Sequence, residues 1–352
     1  MVVRKEGACE LPMRLRGGAR ARTTLSDVAR KAGVSPITVS RALREPHKVS
    51  DKLRETILGV VDEIGYVPNF AARALASRHS GIIAVLGPVL GSPGFSPVAS
   101  GIEDRFQAGE LRTQFANIGL DASEEARQLN LFVAQNPAGI IMESVAEFPV
   151  NRPLIDEIDC PVVQMMDTSL EPLDMGIGVC HRSAAKLAVR HLLSKGYSKI
   201  ALLGGNKDIR SRRRFEGYRE ALSDAGLYQP GYVFDTEGRN SVADGHSLMR
   251  CINSRYPEID AVFCHDDELA LGALFAASQL GLRVPEDLGI CGYNGLHFSG
   301  VDDPPLTSVS LPLYEIGFKA AEMLMAALAS GERKEGAVEL EVALVEGAST
   351  RR

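Results

Sequence analysis

The sequence predicts an α/β protein in two parts. One is a small N-terminal headpiece of three helices built on a helix-turn-helix, and the other a large two-lobed body of doubly wound parallel sheets. Three observations carry this. Within residues 24–65, helix caps and helix stops follow each other at spacings that suit short helices joined by tight turns. From Gly81 onward, short apolar runs alternate with helix-forming stretches, the pattern of parallel strands covered on both faces. Charge divides at the same place. Residues 1–80 hold fifteen Lys or Arg against eight Asp or Glu, a net +7; the whole 352-residue chain carries −6, so the remainder carries −13. A basic end on an acidic body is the pattern of a nucleic-acid reader whose body is kept off the polyanion.

Residues 1–22 contain several arginines, Gly17-Gly18 and no periodicity, and read as a basic tail without a fold of its own. The headpiece is expected over residues 23–67. Thr24 is placed to cap a first helix, with Asp27 at the third helical position reaching back as in a capping box. Leu25, Val28 and Ala29 share one face, and Gly33 suits a left-handed stop. Two residues later Ser35 can cap a second helix opened by Pro36, which lacks only an amide proton the first position does not use. That helix turns Val39 and Leu43 inward and leaves Ile37, Thr38, Ser40, Arg41 and Arg44 outward. The outward set suits a major groove: Arg41 for guanine, Ile37 for a thymine methyl, Thr38 and Ser40 for phosphates. A helical bundle with a solvated polar face is the plainer alternative. A third helix over residues 51–64, capped by Ser50 and stopped by Gly65, offers Val60, Val61 and Ile64 to cover the first two.

The run 25–43, the segment Gly65-Tyr66-Val67-Pro68-Asn69 and the run Ala71-Ala72-Arg73-Ala74-Leu75 resemble the headpiece and hinge of the lactose-repressor and galactose-repressor (LacI/GalR) family. The resemblance implies that residues 68–79 form a hinge helix on operator DNA. Two hinges of a dimer would then enter the minor groove, with Asn69 and Ala72 at the DNA and Leu75 wedged into the central base step. It adds Thr24, Ser35 and Pro36 to the DNA-facing set.

In the body, strands are expected at 82–86, 114–118, 139–142, 162–166, 176–179, 200–203, 261–264, 288–291 and 307–310. Helices are expected at 124–135, 183–195, 212–225, 267–280 and 313–329. So many strands exceed one ordinary sheet, so two lobes are expected. The first takes about 80–179 and 309–335, and the second about 180–308 and 336–350, with crossovers at 176–181 and 307–311. The segments 204–218, 263–273, 281–294 and 305–309 resemble the effector-binding core of the same repressors, which is similar to periplasmic binding proteins. With the headpiece, the resemblance covers about residues 24–350.

Ligands of such sheets sit beyond the carboxyl ends of strands, here between the lobes. Polar residues at those ends are Glu143, Asp167, Arg212, Arg214, Asp266 and Asn294. Asp167, Arg214, Asp266 and Asn294 fall on positions that contact a sugar or purine in the family, Arg212 less clearly so. Carboxylates and amides suit the vicinal hydroxyls of a polyol, and a guanidinium fork can hold a carboxylate or a hydroxyl pair. Asp266 or Asp267 equally suits the cap of the helix ending at Leu280, and at least one of Arg212, Arg213 and Arg214 suits a solvated face. The runs 161–178 and 263–273 look most like the gluconate-operon repressors, which implies a sugar acid such as gluconate or 2-ketogluconate. A neutral sugar or a purine is the alternative, and the Gly/Pro/Ser-rich loop 87–96 leaves the near wall of the pocket open.

The sequence shows no GxGxxG after a strand, no GxxxxGK[ST], no GxSxG and no HExxH, so an enzyme is not expected, nor a cofactor. Cys9, Cys160, Cys180, Cys251, Cys264 and Cys291 have no metal-binding spacing, so no metal is expected. The arginine-bearing start lacks the apolar stretch of a secretory signal, which, with the headpiece, disfavours a transport binding protein and predicts a cytoplasmic location without a membrane partner. The expected partners are operator double-stranded DNA, a small-molecule effector and a second copy of the chain. A dimer is preferred because one headpiece reads too few base pairs, and no heptad tail joins two dimers.

Overall fold

The computed structural model describes residues 23–67, 79–88, 91–107, 109, 111–119, 121–143, 152–168, 172, 174–204, 208–236, 240–296, 304–333 and 336–352. They divide into two units, Met1–Ala76 and Ser77–Arg352.

The first unit holds α1 (Leu25–Ala32), α2 (Pro36–Arg44) and α3 (Asp51–Ile64). The caps form as the sequence predicts. The Thr24 hydroxyl accepts the Asp27 amide at 3.3 Å, and the Asp27 carboxylate accepts the Thr24 amide at 2.9 Å. Gly33 ends α1 at φ +68°, a left-handed conformation that favours glycine, and Ser35 Oγ accepts the Thr38 amide at 3.2 Å to open α2. Val28, Ala29, Val39, Ala42, Ile57 and Tyr66 form the core. One expectation changes. Ser50 occupies the cap position of α3, but its side chain makes no capping hydrogen bond. Val60, Val61 and Ile64 pack against the core as expected, half-buried beside the fully buried Ile57.

The second unit is two lobes. The first contains β1 (Ile82–Gly87), α4 (Phe95–Phe106), β2 (Arg112–Asn117), α5 (Ala122–Val133), β3 (Gly139–Met142), α6 (Arg152–Asp156), β4 (Val162–Asp167) and β5 (Met175–Val179). The second contains α7 (His181–Ser194), β6 (Ile200–Leu203), α8 (Ile209–Asp224), β7 (Val233–Phe234), α9 (Val242–Arg255), β8 (Ala261–Cys264), α10 (Asp267–Leu280), β9 (Gly289–Asn294) and β10 (Thr307–Ser310). The chain then returns to the first lobe with α11 (Leu313–Ser330) and β11 (Gly336–Glu339), and ends in the second with β12 (Ala343–Val345). The strand orders are β11-β5-β4-β3-β1-β2 and β12-β10-β9-β8-β6-β7. All pairs are parallel except β12 with β10. Residues such as Ile83, Val85, Ile141, Leu202 and Phe263 are fully buried because both faces of each sheet are covered.

The predicted lobe boundaries need correction. Residues 336–339 pair with β5 and belong to the first lobe, and β10 stays in the second lobe through Ser310. Residues 336–339 form an exposed edge strand, so no apolar run announces it. The chain therefore crosses three times between lobes, at Cys180, at residues 311–312 and at residues 340–342. β9 also runs on to Asn294, because Ser310 pairs with that residue.

Helix α4 meets α11 through reciprocal glycines. A Cβ on Gly101 would lie 2.2 Å from the Tyr314 carbonyl oxygen, and one on Gly317 would lie 2.0 Å from that of Val98. Gly317→Ala is expected to force the helices apart at a cost of about 1–3 kcal/mol. The check is urea unfolding: the midpoint should fall with little change in slope, and an unmoved midpoint would contradict this close approach.

Candidate functional site

Two surfaces hold the residues of interest. On α2, Ile37 is 67 % exposed and Arg41 is exposed beside it, while Thr38 and Ser40 are half-buried. The same helix turns Val39 and Ala42 into the core, so one short helix is anchored on one face and open on the other. Pro36 is exposed at its start, and Thr38 Oγ1 lies 2.8 Å from Ser35 Oγ, so both hydroxyls are oriented at the same end. The Thr24 hydroxyl is turned to its own cap, donating to Asp27 at 2.6 Å. Asn69, Ala72 and Leu75 lie outside the described residues.

The second surface is a cleft between the lobes of the body, open to solvent, with a volume of about 150 Å³. It lies where strand order reverses in both sheets, between β1 and β3 in one lobe and between β6 and β8 in the other. Helices leave opposite faces of each sheet at these points and open a crevice beyond the strand ends. Glu143, Arg214, Asp266 and Asn294 line the cleft as expected. Asp167 and Arg212 do not line it; both are half-buried beside it. For Arg212 the reason is helical period. Arg210 and Arg214, four residues apart, share the cleft face of α8, while Arg212 is turned roughly 160° from it.

Arg210 is the residue that sequence reading missed. It forms an ion pair with Glu143 from the other lobe and a second with Asp208 at 3.0 Å. Asp208 also caps α8, accepting the Ser211 amide at 2.7 Å. Burial alone would raise the Asp208 carboxyl, but Arg210, Arg214 and the cap outweigh it and hold it far below the ordinary range. Arg210 loses some affinity for its proton through burial and gains more from Glu143 and Asp208, so it is permanently charged. Its spacing of four from Arg214 was the available signal.

Asp266 does both jobs the sequence left open. It caps α10, accepting the Leu269 amide at 2.9 Å, accepts Asn240 Nδ2 at 2.7 Å, and lines the cleft. Burial raises its pKa, and with it that of neighbouring Glu268. Asp267 points away, into hydrogen bonds from Ser308 and the Leu296 amide, both at 2.6 Å. Asn294 holds φ +103° at the end of β9, a conformation that costs a side-chain-bearing residue about 1–3 kcal/mol and occurs mostly at functional sites. The near wall, open in the sequence, is formed by Pro88, residues 91–94 and Phe95. Arg214 Nε and Arg210 Nε are buried and reach no acceptor among the described residues. Two such donors in one crevice, beside several carboxylates, suit a ligand that brings a carboxylate and several hydroxyls.

Comparison with known proteins decides the family. Residues 24–69 match the model of bacterial regulatory proteins of the lacI family, and residues 189–350 match a periplasmic binding protein-like domain. The HTH-type transcriptional regulator GntR of Escherichia coli (strain K12) is 36% identical over 307 residues, 87% of this chain and 92% of that protein. The chain belongs to the LacI family. The solved structure of a LacI-family regulator from Silicibacter pomeroyi superposes with a TM-score of 0.86 at 30% identity, covering 94% of this chain and all of that one. The lac repressor dimer bound to operator and the anti-inducer ONPF superposes with a TM-score of 0.82 at 25% identity, covering 94% of this chain and 99% of that one. As a LacI-family member the protein is a DNA-binding transcriptional repressor, not an enzyme. Members of the family bind operator DNA and small-molecule effectors and are typically dimeric. Among the described residues, no helix is long and apolar enough to cross a membrane.

Proposed function

We propose that this LacI-family repressor binds a near-palindromic operator as a homodimer in the cytoplasm, associated with the nucleoid while bound, and that a sugar acid of the gluconate type sets its grip. Arg41 and Ile37 read bases from α2. Ser35, Thr38 and Ser40 meet phosphates, with Thr24 and Pro36 fixing the helix end toward the backbone. Asn69, Ala72 and Leu75 act in the minor groove as a hinge and wedge. In the cleft Arg214 holds the effector carboxylate, while Glu143, Asp266 and Asn294 receive hydroxyls and Asp167 closes the site from the first lobe. Arg212, on the far face of α8, takes no direct part in holding the effector.

The observation that carries the sugar-acid reading is the pair of buried Nε donors of Arg210 and Arg214 without a protein acceptor. A neutral sugar would satisfy them with hydroxyls only, forgoing the stronger charge-assisted bonds a carboxylate makes. Likeness to GntR and to the gluconate-operon repressors points the same way. The test is calorimetric titration of the full-length protein with gluconate, 2-ketogluconate, glucose and galactose in one buffer, followed by operator titration with any ligand that binds. Binding of an acid alone, with a change in operator affinity, is expected. Binding of glucose or galactose alone would overturn the sugar-acid assignment and leave the repressor intact.

A further inference from the structure

At the floor of the cleft, which Met166 and His181 help to line, the two lobes are joined by a buried polar chain. His181, the first residue of α7, is 1 % exposed. Its Nε2 lies 3.1 Å from the Met166 carbonyl oxygen in the first lobe, and its Nδ1 lies 2.7 Å from the Tyr293 hydroxyl in the second. Arg214 lies over the Tyr293 ring, its Cζ 4.9 Å from the centroid.

The donors in this chain follow from simple accounting. A carbonyl only accepts, so His181 Nε2 carries the hydrogen. Burial, reinforced by the charges of Arg214 and Arg210, holds the imidazole well below its ordinary pKa and therefore neutral. Nδ1 is then bare and accepts from the Tyr293 hydroxyl. Both bonds point the same way, Tyr293 to His181 and His181 to Met166, and the Arg214 charge lies over the ring of the first donor.

The far end of the chain is a constrained peptide. Met166 holds φ +87°, in the left-handed region that L side chains avoid. Gly178 on the adjacent strand makes room for it, since a Cβ there would lie 2.4 Å from the Met166 carbonyl carbon and 2.6 Å from the Asp167 amide. The peptide gripped by His181 is therefore the one that carries Asp167.

We propose that His181 is a positioning residue that couples Arg214 in one lobe to the Asp167-bearing peptide of the other through the Tyr293 ring and this one-way pair of hydrogen bonds. A ligand that draws the Arg214 cation off the Tyr293 ring leaves the phenol a weaker donor and weakens the bonds to His181 and Met166 in turn, because linked polar contacts polarise one another. The Met166–Asp167 peptide is then free to leave its strained conformation as the lobes change angle. This rests on the reading that Arg214 anchors the effector.

The test uses full-length protein, an operator duplex and gluconate as the probe. Tyr293→Phe keeps the ring under Arg214 but breaks the chain, and His181→Leu removes both imidazole contacts. His181→Gln restores an acceptor and a donor of the same polarity. In Tyr293→Phe, gluconate affinity should stay within about threefold, and in both Tyr293→Phe and His181→Leu the gluconate-induced change in operator affinity should fall at least about fivefold; His181→Gln should keep that change within about twofold. A wild-type response in Tyr293→Phe, a loss of gluconate affinity in that variant in step with the response, or a His181→Gln as defective as His181→Leu overturns the proposal. Tyr293→Phe alone decides the matter if His181→Leu does not fold. If gluconate fails to bind the wild type, the sugar-acid reading falls and ¹⁵N-histidine spectra of ligand-free protein decide this one. A bare Nδ1 and protonated Nε2 that shift in Tyr293→Phe uphold it, and the opposite tautomer or a charged imidazole overturns it.

Discussion

Arg41→Ala is expected to weaken operator binding by about 30-fold to more than 10⁴-fold. A bidentate arginine–guanine contact discriminates by about 1–3 kcal/mol, and a symmetric dimer makes the contact twice, so the loss is about 2–6 kcal/mol. The fold is not at risk, because Arg41 is exposed while Val39 and Ala42 carry the packing of α2. Binding to a scrambled duplex should suffer far less, since only one charge per headpiece is lost from a contact dominated by phosphates. Paired titrations on operator and scrambled DNA give the answer. Equal losses on the two would assign Arg41 to the backbone, and no loss would remove it from the interface. Gluconate binding should be untouched in either case.

Arg214→Ala is expected to lower gluconate affinity by about 30- to 5,000-fold, the range of about 2–5 kcal/mol for removing one partner of a buried charge pair. Arg210 cannot take over, since its other nitrogens are already held by Glu143 and Asp208. Lysine should rescue poorly, because an ammonium neither forks onto a carboxylate nor lies flat on Tyr293 as the guanidinium does. Operator affinity without effector should remain near wild type, and gluconate should no longer change it. Calorimetry with the substituted protein measures the first quantity. A gluconate affinity within a factor of three of wild type would place the anchor elsewhere.

What the sequence disclosed, and what it hid, follows from where each signal lives. Caps are local, so the Thr24–Asp27 box, the Ser35-Pro36 opening and the Gly33 and Gly65 stops were legible and formed as read. Strands buried on both faces announce themselves as apolar runs, and residues 139–142, 200–203, 261–264 and 307–310 begin and end where expected. Helices α4 and α9 were not expected from the sequence. Gly101 and Gly245 within them are required by a neighbouring backbone, as are Gly217, Gly272 and Gly317 in helices that were expected. A Cβ on Gly245 would lie 2.1 Å from the Leu269 carbonyl oxygen, as one on Gly101 would meet that of Tyr314. In the cleft, individual polar residues at strand ends were legible, but the choice of Arg210 over Arg212 was not, because it depends on which face of α8 the cleft meets. His181 and Tyr293 were invisible as a pair, since 112 positions separate them in the chain.

The three crossings between lobes restrict what any effector can do. The connections are short: one residue at Cys180, two at 311–312 and three at 340–342. Two rigid bodies held by three brief straps side by side cannot slide apart or pivot freely, and what remains is chiefly a folding motion about the line of the straps. Ligands in the cleft therefore act as wedges or clasps on a book whose spine is already bound. Their chemistry acts through the angle at which they leave the covers.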